Sequence, residues 1–398
     1  MELDIENIET TAKIPHLLKY MGSKREILDF VIGSIESLNV ESEWLCDLFA
    51  GSCIVSASLK GKYKIHANDI QEYSKVLAHT YLSNLKGSIP YNRLSQIKVK
   101  VSYFVSQFKR KYKNLNFSYE NVHNLRDFQE LETDQQKLIE KDFDLGFHLF
   151  TRYYSGTYWT YEQCVWIDSI RAVAEGYIGK PEYYPILSSL IYAMSYVAQS
   201  TGHYAQYRDA ISESSMRDIL IYRNREIWPY FEKKFNELIL SLNGNALEFK
   251  ATSRDYLDCI RIIEENSIVY ADPPYQSVHY SRFYHILETL VRYDYPKVQY
   301  KGRYREERHQ SPFCKTTTVK KAFEDLFNGV NDKKAHLVIS YSDTGLINLN
   351  QIKEISSKVL KNKYSCNILE IAHLHSKMGR SDVRNQDVKE YSIIFKRK

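Results

Sequence analysis

At both ends of the chain, short apolar runs alternate with stretches whose apolar residues recur every three to four positions. That alternation is the pattern of parallel strands joined by crossover helices. Gly22-Ser23 opens a predicted helix over 24–37, followed by a strand at 44–49, a helix at 54–60, a strand at 63–67 and a helix at 71–84. The pattern resumes with a strand at 246–250, a helix at 255–265, a strand at 268–271, a helix near 281–291 and a strand at 336–340. A helix near 349–360 and strands at 365–373 and 390–396 complete it. Between the two halves, 86–242 is aromatic and helical in pattern, without strand alternation. The reading is an α/β catalytic domain formed by 1–85 and 243–398, with 86–242 as an inserted, helix-rich domain. No internal repeat or low-complexity segment appears, and Pro plus Gly, 9 and 15 in the 398 residues, is too sparse for long disordered linkers.

Composition narrows the class. No window reaches the eighteen or so apolar residues of a membrane span, and the first residues are acidic where a secretory signal is basic and then apolar. Six scattered cysteines, with no CxxC pair, fit free thiols in a reducing compartment, so the cytoplasm is expected and no metal is. Tyrosine is abundant at 33 residues. Charge is unevenly placed: 86–130 and 297–321 each carry a local excess of basic residues interleaved with Tyr and Phe, on an otherwise acidic chain. Such segments suit a phosphate backbone, and Lys109, Arg110, Lys111, Arg303, Arg305 and Arg308 are the candidate contacts.

The most informative motif is Asp272-Pro273-Pro274-Tyr275, directly after the apolar strand 268–271, where open α/β sheets place their ligands. Two prolines remove two N–H donors and leave carbonyl acceptors beside a carboxylate. That arrangement fits a planar amine: Asp272 and the Pro273 carbonyl each accept one N–H while Tyr275 stacks on the attached ring. A second motif, Asp47-Leu48-Phe49-Ala50-Gly51-Ser52, ends a strand with a tight Gly turn. No Lys follows the turn as a phosphate-binding loop requires, and Asp47 repels an anion, so a neutral or cationic nucleoside is the better guest. Asp69, 22 residues after Asp47, stands where an acid reaches ribose hydroxyls.

Lys19-Tyr20-Met21-Gly22-Ser23-Lys24-Arg25, Asp47 to Ser52, Asn68-Asp69 and Asp272 to Tyr275, in that order around a long insertion, resemble the Dam-like, α-class DNA adenine methyltransferases. The resemblance covers roughly 15–85 and 245–396. It implies a Rossmann-like sheet of order 3-2-1-4-5-7-6 with strand 7 antiparallel, S-adenosylmethionine as cofactor, and an insertion that reads DNA. Tyr20, Lys24, Asp47, Phe49, Gly51, Asp69, Asp255 and Tyr256 are then cofactor-side residues; Asp272, Pro273, Pro274 and Tyr275 hold the target adenine. Cys53 stands where the family usually has a second glycine, and Tyr20 where Trp is common. Double-stranded DNA is the implied partner, a restriction endonuclease a further one, and a monomer of prokaryotic or phage origin is expected. The tetrad itself recognises an amine on a flat ring without naming the ring, so cytosine N4 or RNA stays open, as does a non-catalytic DNA-binding protein on this fold. His285, Glu288 and Arg292, spaced three and four apart, read as the polar face of a helix.

Overall fold

The computed structural model describes residues 14–20, 22–199, 203–242, 247–376 and 385–398. Nine strands are described: β1 (Trp44–Asp47), β2 (Lys64–Asn68), β3 (Phe249–Thr252), β4 (Ile268–Ala271), β5 (Val298–Gln299), β6 (Tyr304–Arg305), β7 (His336–Ser342), β8 (Tyr364–Ser376) and β9 (Asn385–Arg397). Seven form one sheet in the order β3-β2-β1-β4-β7-β9-β8; β5 and β6 pair separately. The four pairings from β3 to β7 are parallel, and β9 runs antiparallel to both neighbours. The order in chain numbering differs from the expected 3-2-1-4-5-7-6, because the β5–β6 ribbon, unforeseen in the sequence, takes the fifth and sixth places along the chain.

Strand side chains alternate between two apolar layers, as a sheet covered on both faces requires. Leu45, Ile65, Ile268, Tyr270, Val338 and Ile394 enter one cluster. Cys46, Val269, Ala271, Leu337, Ile339, Ile393 and Phe395 enter the other. The first layer continues without a break into the segment 86–242, whose Phe150, Tyr154, Trp159, Ile167 and Leu190 belong to the same cluster. Among the described residues this segment is helical, and its own small satellite comprises Phe128, Ala210, Met216 and Ile219. No described helix is long and apolar enough to cross a membrane.

Three local expectations are corrected. The strand expected at 246–250 is Phe249–Thr252, set by its parallel register with β2 (Ile65 opposite Phe249, Asn68 opposite Thr252) and only half-buried along its length, so its apolar pattern was weak. The helix Val319–Asp332, which buries Ala322, Phe323, Leu326, Phe327 and Val330, went unread because charged and polar residues occupy its other face. The helix Ser281–Arg292 does not turn a solvated face through His285 and Glu288: both are buried, His285 against the Tyr204 carbonyl (2.9 Å) and Glu288 against the Tyr73 N–H (3.4 Å).

Burial, reinforced by the nearby Glu72 charge, pushes the Glu288 carboxyl up to about 7. The folded protein therefore holds this proton more tightly than the unfolded chain, and stability falls as pH rises from the ordinary carboxylate range through 7. Glu288→Gln removes that loss. The variant is expected to be stabilised by about 1–3 kcal/mol at pH 8, with a smaller gain at pH 5. Urea unfolding at the two pH values checks this, and an equal gain at both contradicts it.

Candidate active site

The carboxyl ends of β1, β2 and β4 lie side by side in the parallel sheet, and the loops leaving them carry Asp47 to Ser52, Asp69 and Asp272 into one crevice. A cleft of about 650 Å³, including its solvent-open part, is lined by Tyr20, Phe49, Asp69, Asp255, Tyr256, Asp272, Pro274 and Tyr280 among others. An adjoining recess of about 290 Å³ reaches Lys24, Asp47 and Gly51. The two ends of the sequence, 20–69 and 255–280, thus meet at one site.

One side of the cleft is held by backbone geometry. Asp69 accepts the N–H groups of Gly51 and Gln71, both at 2.9 Å, so its carboxylate pins the turn after β1. Gly51 has φ of +49°, and a Cβ there meets the Tyr20 side chain at 3.0–3.1 Å, so any other residue is strained and presses on Tyr20. Cys53, at the usual position of a second glycine, adopts φ of +60°; its thiol lies 3.2 Å from the Ser74 carbonyl. The left-handed backbone is retained without the glycine. Asp47 is turned inward instead, accepting the Ser56 N–H and hydroxyl at 3.2 and 2.7 Å. Burial, only partly offset by Ser56, pushes Asp47 up to about 7, and burial, partly offset by the Gln71 and Gly51 N–H groups, pushes Asp69 up to about 6. Asp255 caps the helix Tyr256–Ile262 through the Leu257 N–H (2.9 Å), and the Phe49 ring stacks against Tyr256 with centroids 5.9 Å apart.

On the opposite side Asp272 leaves β4 at the cleft floor. The buried Lys24 ammonium stands 3.2 Å from Asp272 Oδ1 and 3.4 Å from Glu390 Oε2. Lys24 therefore faces the tetrad from between two carboxylates, and it also lines the recess beside Asp47 and Gly51. Tyr275 is also placed differently from expectation. Its ring is 5% exposed and packs edge-on against Tyr341 at 5.8 Å, while its hydroxyl reaches Glu390 Oε1 at 3.4 Å. Tyr280, unlike Tyr275, lines the cleft; it is stacked on Tyr20 at 5.2 Å, with Tyr284 also stacked on Tyr20 at 4.7 Å. Pro273 and Pro274 are buried. The Asp272 carboxyl is pushed up to about 6, burial outweighing the pull of Lys24.

Glu390 was absent from the sequence reading. Its one trace is a charged residue in phase with the buried positions Val388, Ser392 and Ile394 of β9. The basic candidates are mostly engaged. Arg305 is 3% exposed and doubly bonded to Asp294 at 2.7 Å, with Glu307 also against it, which removes it as a phosphate contact. Arg303 pairs with Glu140. Arg308 lies over the Tyr304 ring at 5.9 Å. Lys109 pairs with Glu162 at 2.8 Å, Arg110 with Gln107 at 2.6 Å and Lys111 with Asp144, all at the surface, where such pairs exchange readily. Among the described residues one trio of metal-ligating type occurs, the buried Cys46, His66 and Cys259, and there His66 Nε2 already lies 2.9 Å from Thr252 Oγ1.

Known proteins are similar to this chain in sequence. Modification methylase LlaI of Lactococcus lactis subsp. lactis is 26% identical over 353 residues, covering 86% of this chain and 49% of that protein. Type II methyltransferase M.FokI of Planomicrobium okeanokoites is 28% identical, covering 85% of this chain and 46% of that protein. The chain thus spans about half the length of these two relatives. Type II methyltransferase M.NlaIII of Neisseria lactamica is 23% identical, with 92% of this chain and 95% of that protein covered. The profile of one family matches residues 20–355, running from the Tyr20 of the cleft through the Gly51 turn, Asp69 and the Asp272 tetrad, and by that match the chain belongs to the D12 class N6 adenine-specific DNA methyltransferases.

Proposed function

We propose that this chain transfers the methyl group of S-adenosylmethionine to the exocyclic N6 amine of adenine in duplex DNA, at a specific site and within a restriction-modification setting. The observation that carries the reading is the shared cleft: the Asp272 carboxylate and the pair Asp69 and Asp255 line one crevice. The residues fit the cofactor. Asp69 and Asp255 keep free lone pairs for hydroxyl and amine donors, Phe49 and Tyr256 supply apolar rings, and the cleft is rich in carboxylates, as a cationic nucleoside requires. The cofactor supplies an electrophilic methyl group on a sulfonium.

An aromatic amine is a poor nucleophile because its lone pair is conjugated into the ring. Accepting its two N–H groups at Asp272 and the Pro273 carbonyl favours a pyramidal nitrogen with an available lone pair, so orientation contributes most of the rate. Asp272 takes the proton only as nitrogen becomes positive, and it needs no high basicity. The adenine must leave the duplex at a cost of about a few kcal/mol, offset by stacking, for which Tyr280 is a ring of the cleft lining. The segment 86–242 serves as the target-recognition part, with Lys109, Arg110 and Lys111 on its surface for phosphates. A cytoplasmic monomer acting on DNA beside an endonuclease of the same specificity completes the proposal.

Digestion of DNA from a host expressing the chain, followed by nucleoside analysis, tests this. N6-methyladenine is expected, and N4-methylcytosine in its place overturns it.

Asp272→Ala is expected to abolish single-turnover methyl transfer while leaving the cofactor dissociation constant within about twofold. In the native protein Asp272 accepts only when ionised, so the rate is expected to fall as pH drops through about 6. Retained transfer in the variant contradicts the assignment.

Asp69→Ala loses the acceptor and frees the Gly51 turn. Cofactor affinity is expected to drop roughly ten- to hundredfold, about 1–3 kcal/mol. Calorimetric titration measures it, and an unchanged constant removes Asp69 from the site.

Neutralising Lys109, Arg110 and Lys111 together is expected to weaken duplex binding and flatten its salt dependence by about 0.9 log units per lost phosphate contact. Arg305→Ala is expected to act through stability instead, because Arg305 is the buried member of its ion pair with the more exposed Asp294 and Glu307, and its truncation removes packed side-chain volume along with the pair. Binding at several salt concentrations, beside a thermal melt, separates the two; a wild-type salt slope in the triple variant excludes these lysines and arginine from the DNA face.

A further inference from the structure

Glu390 enters the site from far along the chain. It lies on β9, opposite Ser342 of β7, and β7 in turn flanks β4, so its carboxylate reaches the tetrad across two strands. It is 3% exposed. One oxygen takes the Lys24 ammonium at 3.4 Å, the other the Tyr275 hydroxyl at 3.4 Å. Asp272 takes the same ammonium at 3.2 Å. One buried cation therefore serves two carboxylates. Were Lys24 committed to Asp272 alone, the full ion pair would occupy the lone pairs and the basicity that an incoming amine needs.

We propose that Glu390 is a positioning residue: by sharing Lys24 it keeps Asp272 from closing into a complete ion pair and leaves that carboxylate able to accept the hydrogens of the target amine. This rests on the reading of Asp272 as the acceptor. The groups facing Asp272 are consistent with it. Lys24 is the cation; Glu390 and the inward-turned Asp47 are the nearby acids; Tyr270, Tyr275 and Tyr280 surround them. Within this set Lys24 lowers the Asp272 carboxyl and Glu390 raises it.

The test follows Asp272 directly. The free protein is labelled with ¹³Cγ-aspartate, the Asp272 resonance is identified by its loss in Asp272→Asn, and it is titrated in the wild type and in the isosteric Glu390→Gln. The midpoint is expected near 6 in the wild type and about one unit lower in the variant. In a Lys24→Met background the same substitution is expected to move the midpoint less than half as far, because only direct repulsion is left. Tyr275→Phe, which frees Glu390 to draw more of Lys24, is expected to move it upward. In single-turnover methyl transfer the acid limb of Glu390→Gln follows the carboxyl to lower pH. An unmoved midpoint in Glu390→Gln overturns the inference, as does an equal shift without Lys24, or an acid limb that stays while the carboxyl moves. The titration needs no methyl transfer, so failure of the adenine reading shows separately, as absent N6-methyladenine in the wild type.

Discussion

The site depends on one buried ammonium. Lys24, from the first motif of the chain, is bound by Asp272 at the end of β4 and by Glu390 on the last strand, 366 positions away from it. Removing three charged groups from water is costly, and the cost is repaid only where each has a partner. This cluster therefore holds the N-terminal motif, the tetrad and the C-terminal strand in a single arrangement. With one cation between two anions, it also stays short of neutral, and Asp272 remains a carboxylate with acceptor capacity.

Around that cluster the backbone does most of the placing. Parallel strands end together, so the acids that follow β1, β2 and β4 arrive on the same edge without long loops. Left-handed conformations at Gly51 and Cys53 turn the chain tightly enough for Tyr20 to lie on it. Tyr20, Tyr280 and Tyr284 then stack as a three-ring layer that closes the N-terminal motif onto the segment following the tetrad. The abundance of tyrosine acquires a structural meaning here. Its rings fill apolar space while their hydroxyls satisfy buried acceptors, as Tyr158 does for the Tyr204 carbonyl at 2.7 Å.

The basic segments divide by burial. Lys109 and Lys111 stand at the end of a long surface helix with exposed acidic partners, which water and salt readily displace. Arg305 has the same formal charge and a structural use: from β6 it bridges Asp294 and Glu307. Net charge along a sequence window does not distinguish these two cases, because Asp294 lies just outside the segment 297–321 and Glu307 is counted within it without any sign that either touches Arg305.

From the sequence alone, the alternating pattern located most strands and helices of the two sheet-forming regions, and the tetrad located one wall of the cleft. Both were legible because strand periodicity and the removal of N–H donors by Pro273 and Pro274 are local properties. Asp69 and Gly51 were legible for the same reason, each lying in the turn its own strand ends on. What the sequence could not carry was every relation set by packing between distant residues. Glu390 reads as one polar residue of an edge hairpin until β9 is laid against β7. Tyr275 reads as a free ring until Tyr341 covers it, and Glu288 as solvated until its helix packs against Tyr73. The segment 86–242 reads as a separate body until its helices join the sheet's own apolar layer. Spacing along a chain fixes what a residue can do; burial, which depends on contacts made hundreds of positions away, decides which charges are paired and which stay free to act.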